Sequence, residues 1–172
     1  IWTNAWFARG DGMPFVSGEA PRNGAYILNF FKCQPALNYG YGQCNQPWQQ
    51  PAGSPEALAT RAALWDIMEF WLERGCDGFR VDMAGSLMKH DTPDCSYTQA
   101  IYQEIREKLD AQFPEAALVS EWGLPRQALN CGFDMDFYLE WHGNGYSSLM
   151  RDYDTDGNMV MQGPDTSSFK QA

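Results

Sequence analysis

Two carboxylates and one guanidinium are the groups of this sequence best suited to chemistry. The stretch Asp77-Gly78-Phe79-Arg80-Val81-Asp82-Met83 reads as a short, fully buried strand in which apolar and charged residues alternate. Residues i and i+2 of a strand point to the same side, so Arg80 and Asp82 share one face and Phe79, Val81 and Met83 the other. Taken alone, an Arg-x-Asp pair reads first as a structural ion pair buried in a costly place. A second acid changes that reading. Ala116-Ala117-Leu118-Val119-Ser120-Glu121-Trp122-Gly123 is another apolar strand, and it ends in a carboxylate. Two acids converging at strand ends suit cleavage of a glycosidic bond. One attacks the anomeric carbon, while the other protonates the leaving oxygen and then activates water.

The elements that must position these acids are legible around them. Ser54-Pro55-Glu56 is a helix start, with an N-cap hydroxyl, a proline in the first turn and an acid near the positive helix end. Leu58, Ala62, Trp65, Met68 (or Glu69) and Leu72 follow at helical spacing as core packing, and Gly75 closes the run. Residues 97–112 predict a second helix, with Tyr97, Ile101, Ile105 and Leu109 on its apolar face and Phe113-Pro114 ending it. A helix between two apolar strands makes a parallel unit, with both acids at the C-terminal strand ends. After Gly123-Leu124-Pro125, residues 125–130 allow at most a short helix. Phe133 to Leu139 is a third strand candidate, with Trp141 and His142 at its C-terminal end.

Composition bounds the remaining possibilities. The 172 residues suffice for one domain with a sizeable core, and seven Trp, eight Tyr and ten Phe argue against disorder. A net charge of −10 without a long acidic run disfavours nucleic acid and anionic membranes as partners. No apolar stretch is long enough to insert into a membrane. The five cysteines are odd in number and lack C-x-x-C spacing, so neither a zinc site nor a complete disulfide framework is evident. Cys76, at the start of a strand, reads as inert core. Cys33 and Cys44 flank a loop and are a candidate pair in an oxidising compartment. Asp152, Asp154 and Asp156 have the acid spacing of a calcium loop, but Gly163 stands where the twelfth-position Glu belongs, so the pattern is incomplete.

The motifs Gly78-Phe79-Arg80-Val81-Asp82, then Val119-Ser120-Glu121, with Gln34-Pro35-Ala36-Leu37-Asn38 before them, resemble glycoside hydrolase family 13, the α-amylase family. The resemblance implies an α/β fold that is part of a (β/α)8 TIM barrel. Residues 55–150 would be central β/α units. Residues 1–54 would be a loop-rich segment lining the cleft, the irregular end of the insertion after the third strand, and 151–172 a polar connection. It also implies a retaining α-glycoside hydrolase or transglycosylase acting on α-linked glucans or malto- and isomalto-oligosaccharides. Asp82 would be its nucleophile, Glu121 its acid/base, and Arg80 would orient Asp82. Trp122, Met83, Asn38, Trp141 and His142 become the substrate-binding candidates. Trp6, Tyr39, Tyr41 and Trp48 are aromatic surfaces for sugar stacking or for local loop packing.

This sequence departs from the family pattern at several points. Ala36 replaces the usual acid, which puts calcium at that position in doubt; no cofactor is required, and calcium remains a candidate. Gly85 and Ser86 occupy the places of a Lys-His pair, and Lys89-His90 comes too late to replace it, so His90 reads as a loop residue. The family's Asp-x-x-x-Asn-His and Asn-His-Asp segments are not found, so the chain reads as the middle of a larger enzyme. Its partners would then include the remaining barrel segments or a second copy. Two other readings share these residues: a non-catalytic α-glucan-binding relative, and a structural barrel fragment without turnover. An acidic, Trp-rich chain fits secretion or the periplasm without fixing the compartment.

Overall fold

The computed structural model describes residues 34–137 throughout, together with four strand segments at 15–17, 25–27, 151–153 and 159–161. The chain divides into two compact units, Ile1–Asn38 and Tyr39–Ala172. In the first, β1 (Phe15–Ser17) pairs antiparallel with β2 (Ala25–Ile27), and the Ala36 amide donates to the Ile27 carbonyl at 2.8 Å. The sequence offers Ile1 to Phe7 and Ala25 to Phe31 as short strands; β2 falls within the second, and the first lies outside the described residues.

In the second unit, α1 (Pro55–Leu72) begins where the sequence places it. Ser54 is extended, and its Oγ accepts from the Ala57 amide at 3.3 Å, a cap worth about 1 kcal/mol. The helix ends at Leu72 and the chain turns through Gly75, whose φ of +90° suits glycine. The buried stripe is Ala57, Trp65, Met68 and Leu72, joined by half-buried Leu64. Leu58 and Ala62, expected inside, are exposed instead. The stripe runs through Ala57, Arg61 and Leu64, and Arg61 Nη2 donates to the Ala52 carbonyl at 2.9 Å, which turns that side toward the preceding loop. Ile67, Phe70 and Trp71 are left exposed.

Strand β3 (Gly78–Val81) follows, then a 3-10 turn at Ala84–Ser86, helix α2 (Ser96–Gln112), strand β4 (Ala117–Ser120), short helix α3 (Pro125–Asn130) and β5 (Met135–Asp136). The sheet order is β3-β4-β5, parallel throughout, with Arg80 opposite Val119, Val81 opposite Ser120, and Ser120 opposite Asp136. At Gly78 the neighbouring strand comes so close that a Cβ would stand 2.0 Å from the Ala117 carbonyl oxygen. Two strand expectations are corrected. The first strand is half-buried rather than fully buried, because among the described residues it has a partner on one edge only. Among the described residues the third pairs only over Met135–Asp136 of the expected 133–139 stretch, of which 138 and 139 lie outside them.

The buried face of α2 is Thr98, Ile101, Tyr102, Ile105 and Leu109, whereas Tyr97 is 39% exposed. Its N-terminus is satisfied from outside the helix. Cys95, at the cap position, makes no side-chain cap bond. Asp91 accepts from the amides of Tyr97 at 3.1 Å and Thr98 at 2.9 Å, and Thr92 Oγ1 accepts from the Ser96 amide at 2.9 Å. The core packs Trp65, Met68 and Leu72 of α1 and the α2 face against Leu118, Ala128 and Phe133. Each fully buried large apolar side chain there, such as Ile101 or Leu109, contributes about 1.5–3 kcal/mol.

Cys76, expected in the core, is exposed because it belongs to the turn before β3 rather than to the strand. Cys44 is an exposed free thiol, and Cys33 lies outside the described residues. Within the stretch expected as a polar connection, β6 (Arg151–Tyr153) and β7 (Met159–Met161) pair antiparallel. No helix among the described residues is long and apolar enough to cross a membrane.

Candidate active site

The register of β3 and β4 brings the two acids together. Val81 and Ser120 are opposite one another, so the next residue on each strand, Asp82 and Glu121, emerges side by side. Two backbone bonds lock these ends: the Glu121 amide donates to the Val81 carbonyl at 2.9 Å, and the Ala84 amide donates to the Glu121 carbonyl at 3.2 Å. Arg80 and Val119 share a face two residues and one strand away, which lets the guanidinium reach forward to both carboxyls.

Arg80 uses the two prongs of its fork separately. Nη1 contacts Asp82 Oδ1, and Nη2 donates to Glu121 Oε2 at 2.5 Å. The Met83 amide also points at Glu121 Oε2, at 3.4 Å. The Phe137 ring lies beneath the guanidinium, with its centroid 5.5 Å from Cζ. The Arg80–Asp82 pair is therefore not the buried ion pair the alternation suggests. The side chains of Arg80 and Asp82 are 46% and 68% exposed, whereas Glu121 is 20% exposed. The reason is topological, since among the described residues this face of the sheet carries none of the helices that cover the other.

The remaining candidates fall in different places. Met83 sits in a left-handed turn at φ 47° directly after Asp82, half-buried, with its amide turned to the acid. Trp122, one of the substrate-binding candidates, is enclosed in the core between Tyr102 and Phe133. A Cβ added to Gly85 would stand 2.2 Å from its Nε1, which shows how closely the post-strand turn packs on the indole. Asn38 is exposed at the end of the first unit. Trp141, His142 and Trp6 lie outside the described residues. Tyr39 and Tyr41 are buried, and Trp48 is half-exposed, edge-on to Tyr41. Lys89 is half-buried, and burial lowers the pKa of its ammonium. His90 Nδ1 donates to the Gln43 carbonyl at 3.2 Å, a loop contact. Asp152 lies in β6, opposite Val160, while Asp154 and Asp156 are outside the described residues. Among the described residues no three His, Cys, Asp or Glu side chains cluster so as to hold a metal. Phe137 was not foreseeable as a site residue, because an aromatic after an acid reads simply as strand.

Parallel strands joined by a helix, with two acids at adjacent strand ends and one arginine between them, make the arrangement of an α/β barrel with its functional side chains at the C-terminal strand ends. Known proteins agree with this. The chain is 31% identical over 108 residues to a trehalose synthase/amylase of Mycobacterium tuberculosis, covering 61% of this chain and 15% of that protein. It is 38% identical over 71 residues to an oligo-1,6-glucosidase of a Bacillus species, covering 40% of this chain and 11% of that protein. Among solved structures, a point mutant of trehalulose synthase MutB superposes with a TM-score of 0.54 at 18% identity, over 99% of this chain and 32% of that one. No protein-family model matches. Over its middle the chain is thus similar to enzymes of glycoside hydrolase family 13, the α-amylase family, and its fold is that of part of a (β/α)8 barrel. The matched region spans 14–15% of the length of the trehalose synthase relatives.

Proposed function

We propose that this chain carries the nucleophile and the acid/base of a retaining α-glycoside hydrolase or transglycosylase acting on α-linked glucans or malto- and isomalto-oligosaccharides. The observation that supports it best is the single guanidinium of Arg80 contacting both Asp82 and Glu121. A carboxylate oxygen of Asp82 attacks the anomeric carbon as Glu121 gives its proton to the departing glycosidic oxygen, leaving a glycosyl ester on Asp82. Glu121, now a carboxylate, takes a proton from water or from a sugar hydroxyl, whose oxygen attacks the same carbon and releases Asp82. Water gives hydrolysis and a sugar gives transfer; the names of the relatives include both a glucosidase and synthases. Arg80 holds the two carboxyls in register, and its fork geometry is what a lysine could not supply. Calcium stays a candidate at Asp152, Asp154 and Asp156, outside this step.

The edges of the sheet support a reading of the partners. Among the described residues β3 and β5 each pair on one side only, and an apolar cleft of 310 Å³ runs along β3 beside Phe79, Val81 and Leu64. We assign this edge to the remaining barrel segments or to a second copy; a clean monomer of the chain in sedimentation would count against it. Activity is tested by reducing-sugar release from soluble starch and isomaltose, using the full-length protein and its Asp82→Asn variant. Release that disappears in the variant supports the reading. Undiminished release removes Asp82 as nucleophile, and none in either protein favours a non-catalytic relative.

A further inference from the structure

Asp136 is a half-buried carboxylate that the mechanism above does not use, and its hydrogen bonds converge on the acid/base turn. Its Oδ1 accepts from Ser120 Oγ at 2.6 Å, from the Trp122 amide at 2.9 Å and from the Gly123 amide at 3.3 Å. Those donors bracket Glu121 on both sides. Oδ2 is buried and has no hydrogen-bond partner among the described residues, so the carboxyl's described bonds all go to this one turn. Ser120 is fully buried and opposite Asp136 in the parallel register, so their side chains share the helix-covered face of the sheet. Glu121, one residue on, projects to the other face. Asp136 therefore reaches the reacting centre only through backbone.

We infer that Asp136 is a positioning residue for Glu121: its carboxylate clamps the 120–123 turn from behind and fixes where the acid/base carboxyl stands. This rests on the function proposed above. The amides of Trp122 and Gly123 lie where β4 has ended and no further ladder bond is available to them, so without Asp136 they would be free to move with the turn. Loss of placement should harm proton donation more than attack by Asp82, which sits on another strand. Displacing a catalytic group by about 1 Å costs on the order of a hundredfold in rate.

The test compares two substrates in the full-length protein. A malto-oligosaccharide needs its leaving oxygen protonated, whereas 4-nitrophenyl α-glucoside releases a stable phenolate without that help. Asp136→Ala should lower kcat/KM on the oligosaccharide by roughly 10- to 100-fold and on the aryl glucoside by under about threefold, the pattern also expected of Glu121→Gln. Asp136→Asn, which keeps an acceptor oxygen, should recover most of the loss. If Asp136→Ala does not fold, Ser120→Ala removes one of the clamp's bonds and should give the same selectivity at a few-fold. Equal losses on both substrates, or none, overturn the positioning role while leaving the proposed function intact. A wild-type protein inactive on both substrates overturns the proposed function and this role together.

Discussion

Replacing Asp91 should loosen the segment that follows Asp82, and its hydrogen bonds set how much. Its carboxylate accepts from the amides of Thr92 at 2.7 Å, Tyr97 at 3.1 Å and Thr98 at 2.9 Å. The last two amides belong to the first turn of α2, whose donors have no intrahelical partner. Thr98 Oγ1 in turn accepts from the Met88 amide at 3.2 Å, so the same corner pins the loop between Asp82 and α2. A hydrogen bond to a charged group contributes about 1.5–3 kcal/mol and a helix cap about 1 kcal/mol. Asp91 is only half-buried and water replaces part of each bond, so we expect about 2 kcal/mol lost in Asp91→Ala and about half that in Asp91→Asn. For a chain of this size that is about 4–8 °C in Tm for the alanine variant.

The loss should also depend on pH. Burial pushes the Asp91 carboxyl up, but the hydrogen bonds from Thr98, Tyr97 and Thr92 together outweigh it, and the net shift is downward. A carboxyl with a lowered folded value stabilises fully above its unfolded value of about 3.9 and loses that contribution as pH falls through the folded value. The gap between wild type and Asp91→Asn, measured by thermal unfolding from about pH 2 to 7, should therefore be widest above about pH 5 and close in strong acid. A wild-type-like melting temperature in Asp91→Ala, or a gap that does not change with pH, would refute the reasoning.

Three further outcomes are expected. Arg80→Lys should lower kcat/KM of the full-length protein about tenfold, because a point charge serves one carboxyl at a time and the lost bond, about 1.5 kcal/mol at a half-exposed site, is about one decade in rate; a change under about twofold would show that the fork is dispensable. Gly85→Ala should cost about 1–3 kcal/mol in denaturant unfolding, since its Cβ would stand 2.2 Å from Trp122 Nε1 inside a filled core, and an unchanged midpoint would place the indole elsewhere. The product first released from an α-glucan should be the α anomer by proton NMR, and a β product would rule out Asp82 as a covalent nucleophile.

How much was legible in the sequence depended on the range of each interaction. The start of α1 is local: Ser54 caps Ala57 three residues on, and Pro55 and Glu56 sit in the same turn, so a short window shows it. The strand alternation around Arg80 and Asp82, and the parallel unit carrying Glu121, are likewise patterns of period two and of order. Burial was misjudged wherever it depends on what lies across space. The alternation at Arg80 says which side chains share a face and nothing of whether that face is covered. Leu58 and Tyr97 are apolar at acceptable helical spacing, yet they are exposed, while Arg61 and the Tyr97 amide bond to loop residues that no periodicity contains. Which face Asp134 and Asp136 take on the third strand was left open for the same reason: the partners of Asp136 lie 13 to 16 residues away, on another strand and its following turn.

The register of β3 and β4 bears directly on stereochemistry. Neighbouring strands lie about 4.8 Å apart, and because Val81 faces Ser120, Asp82 and Glu121 leave adjacent strands at the same level. Acids at one level on adjacent strands start out one strand spacing apart, which is of the order of the roughly 5–5.5 Å that covalent catalysis with retention requires. An inverting pair needs about 6.5–9.5 Å to admit a water between the acid and the sugar, which would call for acids on non-adjacent strands or a register slip. A slip of one residue is forbidden here, because it would drive Ser120 out of the buried face and separate it from Asp136. The contact of Ser120 with Asp136 and the contacts of Arg80 with both acids thus constrain the same quantity from opposite faces of the sheet. One holds the strand register from the core side, and the other holds the carboxyls from the open side.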